Sequence, residues 1–324
     1  YAAVDVPESE AMLYEPGFAQ IPASAALLSR KPVISAETFT CLYGFPDTHF
    51  REEYFGDLKM VADALFANGV NQIIWHGKPY NPAGTDTAEF YATVHVGPTG
   101  ALSNHLRRLN SYMTRVSKRM QKGVPWSDVA VYLPVEDNRI RGEYPDSLQM
   151  PWSWGAYEMR YVHYPRFLQG YQPHWINAAF LEQANLQNKK LHIGDAAFRL
   201  LYVGADYVSQ KAVERILDLA QQGFPVIMPE KPDFPGKNKP KGYDAQAAKL
   251  YRLASQKQEM PQSIAPLITG TPIPDFRARR HKDTLYVFFP HPKARNLKLP
   301  LPYRFSETRD TLQRKVHIRF RGHQ

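Results

Sequence analysis

The chain has 324 residues, a formal charge of +9 and a pI near 9.4, with 44% apolar and 13% aromatic side chains. That balance supports one large core or two to three ordinary ones and excludes a disordered chain. A single cysteine, Cys41, excludes an internal disulfide and a multi-cysteine metal cluster, and no 18-residue apolar run is present, so neither a membrane span nor a signal peptide is expected.

Residues 1–30 open with VDVPESE, an apolar alternation predicted to stop at Pro7 and deliver Glu8 and Glu10, followed by a loop and a short helix over Ala23 to Leu28. KPVISAETF then places the apolar Val33 and Ile34 before small residues and one carboxylate, Glu37. A buried parallel strand presents a reactive acid at its C-terminal end in this way. A helical stretch over Leu58 to Ala67 leads through Asn68-Gly69 into Val70 to Trp75 and then His76. Three βα units whose strands end in polar side chains predict the working end of a (β/α)8-type barrel over residues 1–125. Closing eight strands takes about 200 residues or more, so the remaining strands are expected upstream of Tyr1. Residues 77–100, rich in Gly, Pro, Asn and Asp and containing Tyr80, read as a loop that shapes a pocket or merely connects. Leu102, Leu106, Leu109, Met113, Val116 and Met120 recur at three and four residues, the apolar face of a long helix ending at Gly123.

Residues 126–270 alternate strand and helix. DVAVYL is a buried-type strand followed by an aromatic segment from Trp152 to Trp175. Arg199 to Val203 and Val226 to Met228 are strands, with helices around Val213 to Ala220 and over Asp244 to Gln256. The pattern predicts a flavodoxin-like open α/β domain without a nucleotide-binding glycine motif. Residues 271–324 read as a Pro-rich linker and a small β-sandwich-like domain with strands over Leu285 to Phe289, Leu297 to Leu301 and Val316 to Phe320. Much of the basic excess lies here, including Arg277, Arg279, Arg280, Lys282, Arg319 and Arg321. In VHIRFR the charges alternate with apolar residues, which predicts a solvated strand face and no nucleic-acid partner.

VDVPESE, KPVISAETFT, LKMVADALFANGVNQIIWHG and FYATVHVGPTGALSNHLRRLNSYMTRVSKRMQKGVPWSDVAVYLP, in that order, resemble the C-terminal half of the catalytic region of glycoside hydrolase family 106, the α-L-rhamnosidase-like proteins. KLHIGDAAFRLLYVGADYVS, LAQQGFPVIMPEKPDFPG and GTPIPDFRARRHKDTLYVFFPHPKARNLKLPL resemble their downstream domains, while WHGKPYNP and ETFTCLYG depart from the commonest family wording. The resemblance implies a bacterial enzyme, periplasmic or extracellular, that cleaves rhamnosidic bonds of a plant or bacterial oligosaccharide or polysaccharide with inversion, using two glutamates and a calcium ion. It assigns Glu37 as general base, Glu8 as a calcium contact and Glu10 as a substrate contact, with the general acid in an upstream part of the same protein. Trp75 and Tyr80 offer faces on which a sugar stacks, and His76 a hydrogen bond to a hydroxyl or to the base. A carbohydrate-binding or scaffold protein that keeps the barrel without turnover is the alternative.

Overall fold

The computed structural model describes residues 1–10, 15–44, 49, 51–76, 94–98, 100–141, 162–295, 297–307 and 313–320. Along the chain these form β1 (Glu8–Glu10), α1 (Gln20–Leu28), β2 (Ser35–Thr38), α2 (Phe55–Ala67), β3 (Gln72–Trp75), α3 (Leu106–Met120), β4 (Val124–Pro125), β5 (Val129–Tyr132), α4 (Val135–Arg141), β6 (Pro173–Ile176) and α5 (Ala178–Glu182). Next come β7 (Asn185–Gln187), β8 (Lys190–Ile193), β9 (Ala196–Phe198), β10 (Leu200–Tyr202), α6 (Gln210–Gln221), β11 (Val226–Ile227), α7 (Tyr243–Leu253), β12 (Ile268–Gly270), β13 (Arg277–His281), β14 (Thr284–Phe288) and β15 (Val316–Ile318). Two compact units result, the first from residues 1–26, 31–125 and 270–316, the second from 27–30, 126–269 and 317–324.

The first unit holds a three-stranded parallel sheet in the order β1-β2-β3. β1 begins one residue later than the sequence pattern places its end. Pro7 has no N–H to give a ladder, so it stands at the strand entrance, where its carbonyl accepts from the Ser35 amide at 3.1 Å, and both acids lie within the strand. The β2 ladder likewise starts at Ser35, beyond the apolar Val33 and Ile34. α2 is rich in Ala, Leu and Met and is buried on nearly every side, and Leu58, Met60, Leu65 and Phe66 pack with Leu102, Leu109 and Met113 around α3 and with Leu297 and Leu301. It ends where Gly69, at φ +107°, turns the chain in the left-handed region that a side chain rarely adopts.

Two carboxylates of α2 are buried and fully engaged. Asp57 accepts from the Tyr43 hydroxyl at 2.9 Å and the Ser306 amide at 2.7 Å. Asp63 accepts from Lys59 at 2.7 Å, the Tyr112 hydroxyl at 2.5 Å and the His291 amide at 3.2 Å. These partners, together with β4 pairing to β13 antiparallel, draw residues 270–316 into the first unit, so the strands after 270 are not the separate sandwich-like domain the sequence pattern implies. Leu297 to Leu301 is not a strand either: Pro300 and Pro302 lack the donors of a ladder, although Leu297 and Leu301 are buried and Lys298 is exposed, as the alternation requires.

β13 is the second departure. Arg277 and Arg279 are 5% and 4% exposed, not solvated. Arg279 donates from Nε to the Lys122 carbonyl at 2.9 Å and from a terminal nitrogen to the Gly123 carbonyl at 2.6 Å, capping the chain where α3 ends. Burial, and then the nearby Arg277 charge, pushes its guanidinium down to about 10. The VHIRFR alternation does appear, with Val316, Ile318 and Phe320 half-buried and His317 and Arg319 exposed, while Arg321 lies outside the described residues.

In the second unit β5, β6, β10 and β11 make a wholly parallel sheet in the order β11-β10-β5-β6. All four residues of β5 are buried, as befits a strand covered on both faces. Asp128, 2% exposed before this strand, accepts from Arg199 at 2.8 Å and from the Trp126 indole at 2.6 Å. β7, β8 and β9 form an antiparallel meander, and β6 contains Trp175, the last of the aromatic run. Trp152, Trp154, Tyr157 and Tyr161 lie outside the described residues.

Candidate functional site

The parallel register sets which side chains share a face. Glu8 is opposite Ser35, Glu10 opposite Glu37, and Glu37 opposite Ile74 on β3. Successive residues of a strand alternate sides, so Glu8, Glu10, Ser35, Glu37, Gln72 and Ile74 line one face and Ser9, Ala36 and Ile73 the other. The second face is the packed one: Ser9 and Ala36 are 5% and 0% exposed, and Ile73 packs on the core. On the first face Glu8 and Gln72 are exposed, Glu10 and Glu37 half-buried, and Ile74 36% exposed.

Glu37 sits near the C-terminal end of the central strand, and the turn after that strand holds its carboxylate in place. Phe39 and Cys41 adopt φ of +77° and +47°, an uncommon choice for residues with a Cβ, and both side chains are buried. This turn carries Thr40 back over the strand end, where its hydroxyl donates to Glu37 Oε1 at 2.9 Å. From β3, His76 stands with Nδ1 3.8 Å from the same oxygen, its backbone amide bonded to the Thr38 carbonyl at 3.2 Å. Cys41 is an interior side chain, 6% exposed.

Glu10 completes the acid pair. Its carboxyl is held above the ordinary glutamate value, first by burial and then by the negative charge of Glu37, with His76 pulling the other way. Glu8 stands apart, with Oε2 accepting from the Ser35 hydroxyl at 2.5 Å. The structure thus brings Glu10, Glu37 and His76 together.

Trp75 is turned to the opposite layer. Its ring lies 4.6 Å from that of Phe39, its indole N–H donates to Asn110 Oδ1 of α3 at 3.2 Å, and it packs against the core of the unit. Tyr80 lies outside the described residues. Thr40, Ser35 and Asn110, which hold these groups in place, escape the reading of the sequence. The one signal it carries for them is a hydroxyl three residues beyond a strand-end glutamate.

Calcium asks for six to eight oxygen ligands. Among the described residues no group of three or more His, Cys, Asp or Glu side chains is placed to hold a metal ion, and Glu8 offers one carboxylate already shared with Ser35. These residues do not by themselves build a calcium site. Nor is any helix among them long and apolar enough to cross a membrane.

A mixed α/β chain with an acid pair on adjacent parallel strands, one acid at a strand end, is a common setting for sugar chemistry. The family model for glycoside hydrolase 106, alpha-L-rhamnosidase, matches residues 12–275, and the chain belongs to that family. Its structure is similar to that of a rhamnosidase from Novosphingobium sp. PP1Y, with a TM-score of 0.66 at 17% identity over 88% of this chain. The chain spans 29% of that protein. A weaker likeness, TM-score 0.31 at 12% identity over 62% of this chain and 33% of the other, is to Gan42B, a GH42 beta-galactosidase, and carries no argument. No protein with a curated description matches the sequence.

Proposed function

We propose that this chain carries the general-base half of a glycosidase active site, acting on α-L-rhamnosidic bonds of an oligosaccharide or polysaccharide with inversion. The observation that carries the reading is Glu37: a half-buried carboxylate near the end of the central parallel strand, one oxygen fixed by Thr40 and His76 alongside. In this role Glu37 takes a proton from the water that attacks the anomeric carbon, and His76 orients that water or a sugar hydroxyl.

The general acid is assigned to a part of the enzyme outside this chain. Glu10 and Glu37 are register neighbours on adjacent parallel strands, and the Glu37 charge adds to burial in holding the Glu10 carboxyl above its ordinary value. We assign Glu10 to the substrate, its carboxyl placed beside Glu37 to meet a sugar hydroxyl. The anomeric form of the first product tests the inversion. Calcium would take Glu8 as one ligand only together with oxygens outside the described residues.

The parallel register of β1 to β3 supports reading them as consecutive strands of a (β/α)8 barrel, and the strand order of the second unit supports a flavodoxin-like arrangement. The family and the substrate class support a bacterial enzyme working in the periplasm or outside the cell. The test is full-length enzyme with Glu37→Gln on a rhamnoside, followed by NMR of the released sugar. Loss of a general base lowers kcat by about 10²–10⁴. A variant as fast as its parent removes Glu37 from the chemistry.

A further inference from the structure

Ile74 is out of keeping with the face it stands on. The other side chains that the strand register places there are Glu8, Glu10, Ser35, Glu37 and Gln72, and His76 follows on the same strand. Among the described residues of β1 to β3, Ile74 is the one aliphatic side chain on that face, and it is 36% exposed. Its chain neighbours Ile73 and Trp75 pack against the core of the unit from the opposite face, and Ile74 is not among the side chains that do. A β-branched residue suits a strand anywhere, so propensity accounts for the strand and leaves the hydrocarbon beside a carboxylate unexplained. Such a group gains only when something apolar removes it from water.

The register fixes its level. Ile74 is opposite Glu37 on one side as Glu10 is on the other, so one row across the sheet reads Glu10, Glu37, Ile74. Two residues further along β3, His76 stands with Nδ1 3.8 Å from Glu37 Oε1. Adjacent strands lie about 4.8 Å apart, so the backbone of Ile74 flanks that of the acid at one strand spacing, whatever else lines the site. The row offers a carboxyl on one side of Glu37 and hydrocarbon on the other. A sugar with hydroxyls along one edge and a bare methyl at another matches that division, and a 6-deoxyhexose is such a sugar. Its C5 is joined to the anomeric carbon through the ring oxygen, so the methyl on C5 lies within a ring's width of the carbon attacked from Glu37.

We infer that Ile74 is the specificity-determining contact for the C5 methyl group of the sugar held at Glu37, and that it selects an α-L-rhamnoside over the α-L-mannoside, which differs only by a hydroxyl on that methyl carbon. The inference rests on the glycosidase reading for its sugar and on the strand register for its residue. The extra hydroxyl leaves water for an aliphatic wall with neither donor nor acceptor, and pockets of this kind reject an added hydroxyl by about 10²-fold.

The experiment measures kcat/KM of the full-length enzyme for p-nitrophenyl α-L-rhamnoside and p-nitrophenyl α-L-mannoside. The parent is expected to prefer the rhamnoside by about 10²-fold. Ile74→Ser, which shortens the wall and supplies a hydroxyl, narrows the preference to about tenfold, while Ile74→Leu, which keeps the hydrocarbon, holds it within about threefold of the parent. A loss of folded enzyme lowers both values alike and leaves their ratio where it was, so the ratio reads the contact and not the fold. An unchanged ratio in Ile74→Ser, an equal narrowing in Ile74→Leu, or a parent without preference overturns the contact. Glu37→Gln is measured beside them. If it is slow while the ratio stays fixed in Ile74→Ser, the contact falls and the base stands; if it is as fast as the parent while the ratio narrows, the base falls and the contact stands. An enzyme inactive on both sugars overturns both.

Discussion

Thr40→Val separates a positioned base from an acid that merely happens to lie at a strand end. The substitution exchanges a hydroxyl for a methyl of nearly the same shape at a site 3% exposed, so the fold keeps its volume and loses one donor, the 2.9 Å bond to Glu37 Oε1. A hydrogen bond to a charged group contributes about 1.5–3 kcal/mol. The Glu37 side chain is 36% exposed, and water takes over part of that interaction, leaving about 1 kcal/mol. If the bond orients the base only for the chemical step, that is roughly a fivefold fall in kcat with KM unchanged. Thr40→Ser keeps the oxygen and restores kcat. Steady-state kinetics on a soluble rhamnoside, with the unfolding midpoint of each variant measured alongside, decide the matter. Equal kcat in Thr40→Val and parent, or an equal loss in Thr40→Ser, refutes the positioning role.

Glu10→Gln tests the acid pair through stability. Because folding raises the Glu10 carboxyl above its ordinary value, the native state binds the proton more tightly, and the parent loses stability as pH rises from the ordinary glutamate value through the raised one. The variant is therefore expected to match the parent in acid and to melt higher above that window; a parent that gains on the variant with rising pH contradicts the environment described for Glu10. Arg279→Met removes two bonds to the Lys122 and Gly123 carbonyls from a residue 4% exposed and is expected to cost about 1.5–3 kcal/mol in denaturant unfolding. Gly123→Ala forces a Cβ into the Arg280 carbonyl at a φ of +63°, so it destabilises by about 2 kcal/mol or more, and a neutral outcome means that β4 and β13 are not packed as described.

What can be read from the sequence is what periodicity announces. The glutamate of KPVISAE, the apolar stripe of α3 and the buried run of β5 each declare their element through a pattern that needs no partner to be recognised. β13 gives no such sign, since RARRH looks like a water-facing segment until the Lys122 and Gly123 carbonyls that receive Arg279 are known, and those lie more than 150 residues away in the chain. The start of β1 is hidden because a proline marks a strand's end or its entrance equally well. Residue type makes Trp75 a platform for sugar, yet strand alternation turns it toward Asn110 and away from the face of Glu37. Thr40 is invisible for a similar reason, because only the two left-handed residues flanking it carry its hydroxyl back to the acid.

The first unit takes its last pieces from chain that lies beyond the second. Asp57 and Asp63 on α2 find the Ser306 and His291 amides only after residues 126–269 have been made. At about 5–20 residues per second, a ribosome needs roughly 7–30 s to cross that insertion. During this interval each of the two carboxylates lacks one of its native donors and the apolar surface of α2 awaits Leu297 and Leu301. Until then the sheet bearing Glu37 stands with part of its support still unmade.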